Sequence, residues 1–269
     1  MVGNISVLPA AFGTFAPRNT YTRPPAEVRM QRYEDIEVWL QPDRGNAVQM
    51  GSYLTVKGRK GHVAETNVPG ITLGTGMAGA IPTINFPGGT VNGKRPLNIE
   101  DYEVSGDYFV AIVLRLDPAM DMATTAYQLF NAGISGGADA EVFLQGGVLR
   151  QRNWDTVNAL TGVGFTPGKS YLVWASYDAA LNKGVMGVNT LDPRALAVEG
   201  LSGAGGAGRN VVIGGRFKAD GTGAEQLFHG RIRAAFIGRT AWVAPSKAEI
   251  RRRFLSEIGS LYPSDFTLT

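Results

Sequence analysis

From Asp107 onward the chain alternates in ways that predict strands. In DYFVAIVLRLD, Tyr108, Val110, Ile112, Leu114 and Leu116 share one face, and Phe109, Ala111 and Val113 share the other. Both faces are apolar, so this strand is expected to be covered on both sides. Shorter strands follow over 127–133, 140–147, 148–154, 170–178, 185–190 and 210–217. Between Phe228 and Gly238 the positions Phe228, Gly230, Ile232, Ala234 and Phe236 fall on one face, and His229, Arg231, Arg233 and Ala235 on the other. That period of two predicts a half-buried strand, the last of the chain. Upstream, Tyr33–Leu40 and Tyr53–Lys57 alternate more briefly. Turn signals separate these runs: Lys57–Gly61, Asn92-Gly93, Pro167-Gly168-Lys169, Asn182-Lys183-Gly184 and the Gly-rich stretch 200–210.

One segment has a helical period. Pro245 ends the strand pattern, Ser246 and Glu249 form an S-x-x-E capping box, and Ile250, Phe254, Leu255 and Ile258 supply an apolar stripe. Gly259 is a plausible stop. The spacing predicts a helix over 246–259. Arg252 and Arg253 fall outside the stripe; Arg251 falls within it and has to snorkel.

Residues 1–32 follow neither period. They mix Pro9, Pro17, Pro24 and Pro25 with Phe12, Phe15 and Tyr21 and with Arg18, Arg23, Arg29 and Arg32. Solvated tails are poor in aromatics. The stretch is therefore read as an extended arm that packs on a neighbouring subunit, with Phe12, Phe15, Arg18, Tyr21, Arg23 and Arg29 as its contact residues. On this reading residues 33–269 form one sandwich domain, and deleting 1–32 leaves it folded.

Composition narrows the classes. Of 269 residues 44% are hydrophobic, enough for a sizeable core, and the 36 Gly and 14 Pro favour turns and short strands over helices. No cysteine is present, which removes disulfides and thiolate metal sites. The N-terminus lacks the basic and apolar regions of a signal peptide. No apolar run approaches the length of a membrane helix. The net charge of +3 comes without a dense Lys/Arg stripe, so neither nucleic acid nor membrane is an expected partner.

The order of elements resembles the laminin-G-like, concanavalin A-like jelly roll. SGDYFVAIVLRLD is similar to an early core strand of that family, and PGKSYLVWASYD to its turn and following strand. NKGVMGVNT resembles a hairpin strand. NVVIGGRF, followed by FHGRIRAAFIGRTAWVAPSKAEI, resembles the final strand pair and helix start. The likeness covers roughly 90–258 and extends to Tyr33 if the first strand pairs with the last. It implies an all-β antiparallel jelly-roll sandwich with an N-terminal arm and one C-terminal α-helix. The fold hosts lectins, glycan hydrolases and structural modules alike, so function has to be read from a site.

Candidate chemistry is sparse. Glu34, Asp35 and Glu37 superficially resemble a hydrolase strand, but Glu34 faces away from the other two and the strand is the first of the fold. His62 and His229 lack a nucleophile elbow. No catalytic residue is assigned, and the protein is read as a non-enzyme. Asp117, Asp121, Asp139 and Asp220 lie in loops without a calcium-loop spacing. No metal site is assigned; a calcium ion at the sandwich rim is the one cofactor that the resemblance allows. For a sugar, an aromatic platform flanked by polar side chains is the signature, and Asn153, Trp154 and Asp155 are the best candidates, although a buried Trp is the commoner outcome.

A cysteine-free, Gly-rich sandwich with an irregular aromatic-basic arm and no signal peptide resembles a bacteriophage virion protein, and the resemblance implies a structural, decoration, tail or fibre component made in the host cytoplasm. It would attach to other virion proteins through its arm and assemble as a homo-oligomer, a trimer being favoured. The alternatives are a lectin-like module binding a cell-surface glycan and, last, a glycan hydrolase.

Overall fold

A computed structural model of the chain describes residues 25–43, 45–75, 82–104, 106–133, 140–153, 156–160, 163–193, 209–219 and 222–269. The elements are α1 (Pro25–Met30), β1 (Val38–Leu40), β2 (Ala47–Met50), β3 (Tyr53–Lys57), β4 (Val63–Thr66), β5 (Thr72–Thr75), β6 (Pro82–Asn92), β7 (Leu97–Val104), β8 (Tyr108–Leu116), β9 (Ala126–Ala132), β10 (Ala140–Gln145), β11 (Val148–Asn153), β12 (Thr156–Leu160), β13 (Ser170–Asp178), β14 (Lys183–Val188), β15 (Arg209–Ile213), β16 (Arg216–Phe217), β17 (Gly223–Gly238) and α2 (Ala248–Leu261). Among the described residues the strands form an eight-stranded and a nine-stranded sheet, and every pairing is antiparallel. The eight-stranded sheet runs β14-β13-β8-β17-β6-β5, with β1 and β16 paired to β17; the other runs β12-β11-β10-β9-β15-β7-β4-β3-β2. The expected all-β antiparallel sandwich with a C-terminal helix is the observed fold.

The doubly apolar strand explains the layering. Tyr108, Val110, Ile112, Leu114 and Leu116 of β8 enter the core between the sheets, while Phe109, Ala111 and Val113 enter a second core beneath α2. Neighbouring β13 divides likewise: Tyr171, Val173, Ala175 and Tyr177 point to the first core, Leu172 and Trp174 to the second. The eight-stranded sheet is thus covered on both faces. Aromatic rings fill the second core, with Phe109 and Trp242 centroids 4.1 Å apart and the Phe254 ring 5.2 Å from Trp242 and 5.6 Å from Phe236.

β17 departs from the expected pattern. Its register against β8 shifts between Ile232 and Ala234, leaving Arg233 as the extra residue of a bulge. One inserted residue inverts the parity that follows. Phe228 and Ile232 face the inter-sheet core, but beyond the bulge Ala235 and Ile237 do, and Ala234 and Phe236 turn toward α2. Arg233 is buried, its Nε 3.8 Å from Asp265 and its guanidinium 5.5 Å from the Tyr262 ring. β17 is also central, not a closing edge: β8 lies on one side, β6 and β1 on the other. Where it ends, Gly238 allows residues 35–36 to cross, since a Cβ there would lie 1.8 Å from the Asp35 carbonyl.

Both ends of the chain correct the sequence reading. Within the expected strand Tyr33–Leu40 only Val38–Leu40 is extended, because it alone pairs with β17. Residues 25–32, assigned to the arm, are not extended. They hold α1, whose Met30 is buried in the second core and whose Glu27 is buried in an ion pair with Arg59. The candidate contact residue Arg29 forms a two-pronged ion pair with Glu257 of α2 at 2.5 and 2.7 Å. The others, Phe12, Phe15, Arg18, Tyr21 and Arg23, lie outside the described residues. The capping box does not form: Pro245–Lys247 make a 3-10 turn, no side chain caps α2, and Glu249 pairs with Arg253 instead. Gly259 does not end the helix, which continues to Leu261; its bare Cα admits Leu268 of the returning C-terminus, 2.5 Å from where a Cβ would sit.

Arg251 does not snorkel. It is 3% exposed, donates to the Trp242 carbonyl at 2.7 Å, lies 3.6 Å from Asp192 and sits 5.3 Å from the Trp174 ring. Burial lowers its pKa, and Asp192 opposes the shift.

Two outcomes follow. A chain beginning at Tyr33 should unfold at lower urea than one beginning at Pro25. Loss of buried Met30 alone is worth about 2–5 kcal/mol, and equal midpoints would show α1 to be dispensable. Phe254→Ala should cost about 3–5 kcal/mol in equilibrium unfolding; a loss below about 1 kcal/mol would mean that α2 is not anchored through this ring.

Candidate functional site

Because α2 covers one sheet, the exposed surface of the sandwich is the outer face of the other. Alternation places Leu54, Val56, Ala64, Leu97 and Ile99 in the core, so their neighbours Tyr53, Thr55, Glu65, Asn98 and Glu100 project outward. Strand register then aligns Val48, Thr55, Glu65, Asn98, Val212, Asn131, Glu141, Arg152 and Val157 as a cross-strand row spanning all nine strands.

The two ends of this row differ. At the β9–β11 end the polar groups are sealed. Glu141 is fully buried, paired with Arg216 at 2.9 Å and Arg152 at 3.1 Å, and its Oε1 accepts from Asn131 Nδ2 at 3.2 Å. Arg216, from β16 of the opposite sheet, also pairs with Glu225 at 2.9 Å, which ties the sheets together along this edge. Breaking a buried pair of this kind costs far more than an exposed one contributes.

At the β3–β4–β7 end the face is open. Tyr53, Glu65, Thr66, Asn67, Arg95, Asn98 and Glu100 line a depression of about 60 Å³. Tyr53 is 62% exposed, on the hairpin that also exposes Val48 and Met50. The rim is rigid. The Arg95 amide donates to Asn67 Oδ1 at 2.6 Å, and Thr66 Oγ1 donates to the Arg95 carbonyl at 2.8 Å while accepting from the Val68 amide at 3.1 Å. Glu65 Oε1 accepts from Thr55 at 3.2 Å, and the Arg95 guanidinium lies 3.6 Å from Glu100. Asn98 is 3% exposed and its buried Oδ1 has no hydrogen-bond partner. Orphaned buried acceptors are uncommon and costly; this one lies in the wall of the depression.

A larger cleft of about 480 Å³ runs between the N-terminal segment and α2, lined by Arg29, Arg32, Tyr33, Glu34, Asp35, Ile250, Arg253 and Glu257. Three arginines meet three carboxylates there. Arg29 is tied to Glu257, Arg253 to Glu249, and Asp35 accepts from Trp242 Nε1 at 3.2 Å. Its charges are therefore largely spent within the protein.

The sugar triplet expected from the sequence is not a surface site as a whole. Asn153 is fully buried, and its Oδ1 accepts a 2.9 Å hydrogen bond from the Tyr108 hydroxyl, which itself accepts from Gln151 Nε2 at 2.8 Å. Burial raises the Tyr108 pKa, so the phenol stays a donor. Asn153 faces the core because β11 alternates Leu149, Gln151 and Asn153 inward. Trp154 and Asp155 lie outside the described residues. Glu37 is bound to Arg239 at 2.7 Å, and the Arg239 guanidinium lies over the Tyr102 ring. His62 packs against Tyr102, and His229 lies 3.7 Å from Asp117.

Asp117 and Asp121 each accept a 2.8 Å amide hydrogen bond from their own loop, Asp139 and Asp220 lie outside the described residues, and among the described residues no three His, Asp or Glu gather as a metal would need. Among these residues, too, no helix is long and apolar enough to cross a membrane. The open site itself escaped the sequence reading. Its one signal was Tyr53, an aromatic on the polar face of a strand whose apolar face is Leu54 and Val56.

No protein-family model and no curated protein matches the chain. Solved structures do. The botulinum neurotoxin serotype D binding domain aligns with a TM-score of 0.54 at 13% identity, over 83% of this chain and 51% of that one. The binding domain of botulinum neurotoxin DC in complex with SialylT gives 0.53 at 11%, over 83% and 52%. A Trypanosoma rangeli sialidase gives 0.51 at 16%, over 83% and 33%. The chain thus spans about half of the toxin domains and a third of the sialidase. At such identities the likeness establishes the shared β-sandwich fold.

Asn153→Ala should lower stability by about 1–3 kcal/mol, because it strands the Tyr108 hydroxyl in the core. It should leave any ligand affinity unchanged. Unchanged stability in urea unfolding, with lost binding, would return Asn153 to the surface.

Proposed function

We propose that the protein is a lectin-like module that binds glycans on the open face of its nine-stranded sheet, beside Tyr53. The observation that carries this reading is the pairing of an exposed aromatic ring, Tyr53, with a polar depression whose rim is held by hydrogen bonds and lined by Glu65, Asn67, Arg95, Asn98 and Glu100. Sugar rings offer C–H groups for an aromatic platform and hydroxyls for fixed acceptors and donors, and few precisely placed polar groups suffice to orient a ligand. The fold supports the same reading, since a solved neighbour is a toxin binding domain in complex with SialylT. Binding without turnover is the proposed activity. Glycoside hydrolysis uses a carboxyl group whose pKa is raised by its surroundings, paired with a second carboxylate, whereas Glu65 and Glu100 are both exposed and Glu100 lies beside Arg95.

The expected place in a phage particle draws no support from these neighbours, and most of the arm on which it rested lies outside the described residues. It is retained only as a setting in which a glycan-binding sandwich would serve attachment to a cell surface.

Tyr53→Ala should weaken binding on a glycan array, followed by calorimetry, at least tenfold, about 1.4 kcal/mol. Thermal stability should hold, because the ring is exposed. Unchanged affinity would remove the site from this face, and Trp154→Ala on the same array then becomes the deciding variant.

A further inference from the structure

We infer that the Tyr53 site is selective for non-acidic sugars, neutral or amine-bearing, and excludes sugars that carry a carboxylate, such as sialic acid. The inference rests on the glycan-binding reading above and adds its ligand class. It follows from the charges that line the depression. Glu65 and Glu100 face a single guanidinium, Arg95, which leaves one negative charge in excess. Arg95 is not a waiting anion receptor, since its guanidinium already lies 3.6 Å from Glu100. Lys57, the next outward residue of β3, does not line the depression.

The hydrogen-bonding inventory points the same way. An ionised carboxylate only accepts. Glu65 has one oxygen occupied by Thr55, and its second oxygen, with the Glu100 carboxylate, adds acceptors to the exposed rim. Hydroxyl and ammonium groups supply donors for these carboxylate oxygens. A ligand carboxylate would bring two more acceptors and a like charge, and a like charge held within a few ångströms is repelled. The sheet row reinforces this. Asn98 stands directly opposite Glu65, so a sugar in the depression that both line is beside that carboxylate.

The competing outcome is that Arg95 leaves Glu100, a weak exposed pair, and clamps a ligand carboxylate. The two are separated by titrating the full-length protein with an array of neutral, amine-bearing and sialylated or uronic-acid glycans at fixed ionic strength. We expect neutral or amine-bearing glycans to bind at least tenfold more tightly than acidic ones. The Glu65→Gln/Glu100→Gln double variant, its folding checked by thermal melting, should close that gap by at least tenfold.

Equal or tighter binding of acidic glycans, lost in both Tyr53→Ala and Arg95→Gln, would overturn the selectivity and leave the glycan-binding reading standing. An array on which no class binds above background, in wild type and Tyr53→Ala alike, would overturn both.

Discussion

Everything in this protein depends on the eight-stranded sheet being covered twice. β8 and β13 carry large apolar side chains on both faces, and neither set can be left in water. The inter-sheet core takes one set. The other requires a lid, and Phe254, Leu255 and Ile258 of α2, with Trp242 and Met30, provide it. Burying a Phe or Leu side chain is worth roughly 1.5–3 kcal/mol, so the lid is a structural necessity and the C-terminal helix is part of the core. The same demand draws α1 down onto this core, where its Met30 packs with α2 and with Phe266 of the C-terminal segment.

That requirement determines where function can lie. With the helical face occupied, the outer surface of the nine-stranded sheet is left to meet solvent or ligand. A cross-strand row, polar except at Val48, Val212 and Val157, crosses it, and its two ends have opposite fates. At β9–β11 the arginine brought over by β16 closes on Glu141 and turns the row into a buried clamp. At β3–β4–β7 the same kind of residue, Asn98 beside Glu65, lines an open depression instead.

Arginine illustrates how context sets the role of a residue. In the run Arg251-Arg252-Arg253, Arg251 is buried against Trp174, Arg252 clasps Asp192 on the surface with two hydrogen bonds at 2.8 and 2.9 Å, and Arg253 pairs one turn back with Glu249. What looks like a basic patch in the sequence is one buried tether and two neutralised surface pairs. Arg233 is a further case: alternation places it on the polar face with His229 and Arg231, and there it is buried against Tyr262 and Asp265.

Local patterns determined most of the architecture. The doubly apolar face of 108–116, the alternation of 170–178 and the turn residues between strands specified the antiparallel sandwich, because side-chain parity is a property of the strand itself. The apolar stripe of 250–258 specified the helix. The tertiary structure alone decided the rest. The bulge at Arg233 depends on the register of β8, so alternation could not announce it. Ser246 failed to cap because the turn at Pro245–Lys247 replaced its geometry, and Pro25–Met30 became helical as Met30 was drawn into the second core. Asn153 went to the core through the parity of β11. The candidate site was least legible of all: Tyr53, Glu65, Asn67, Arg95 and Asn98 come from three strands and their loops, and only sheet register brings them together.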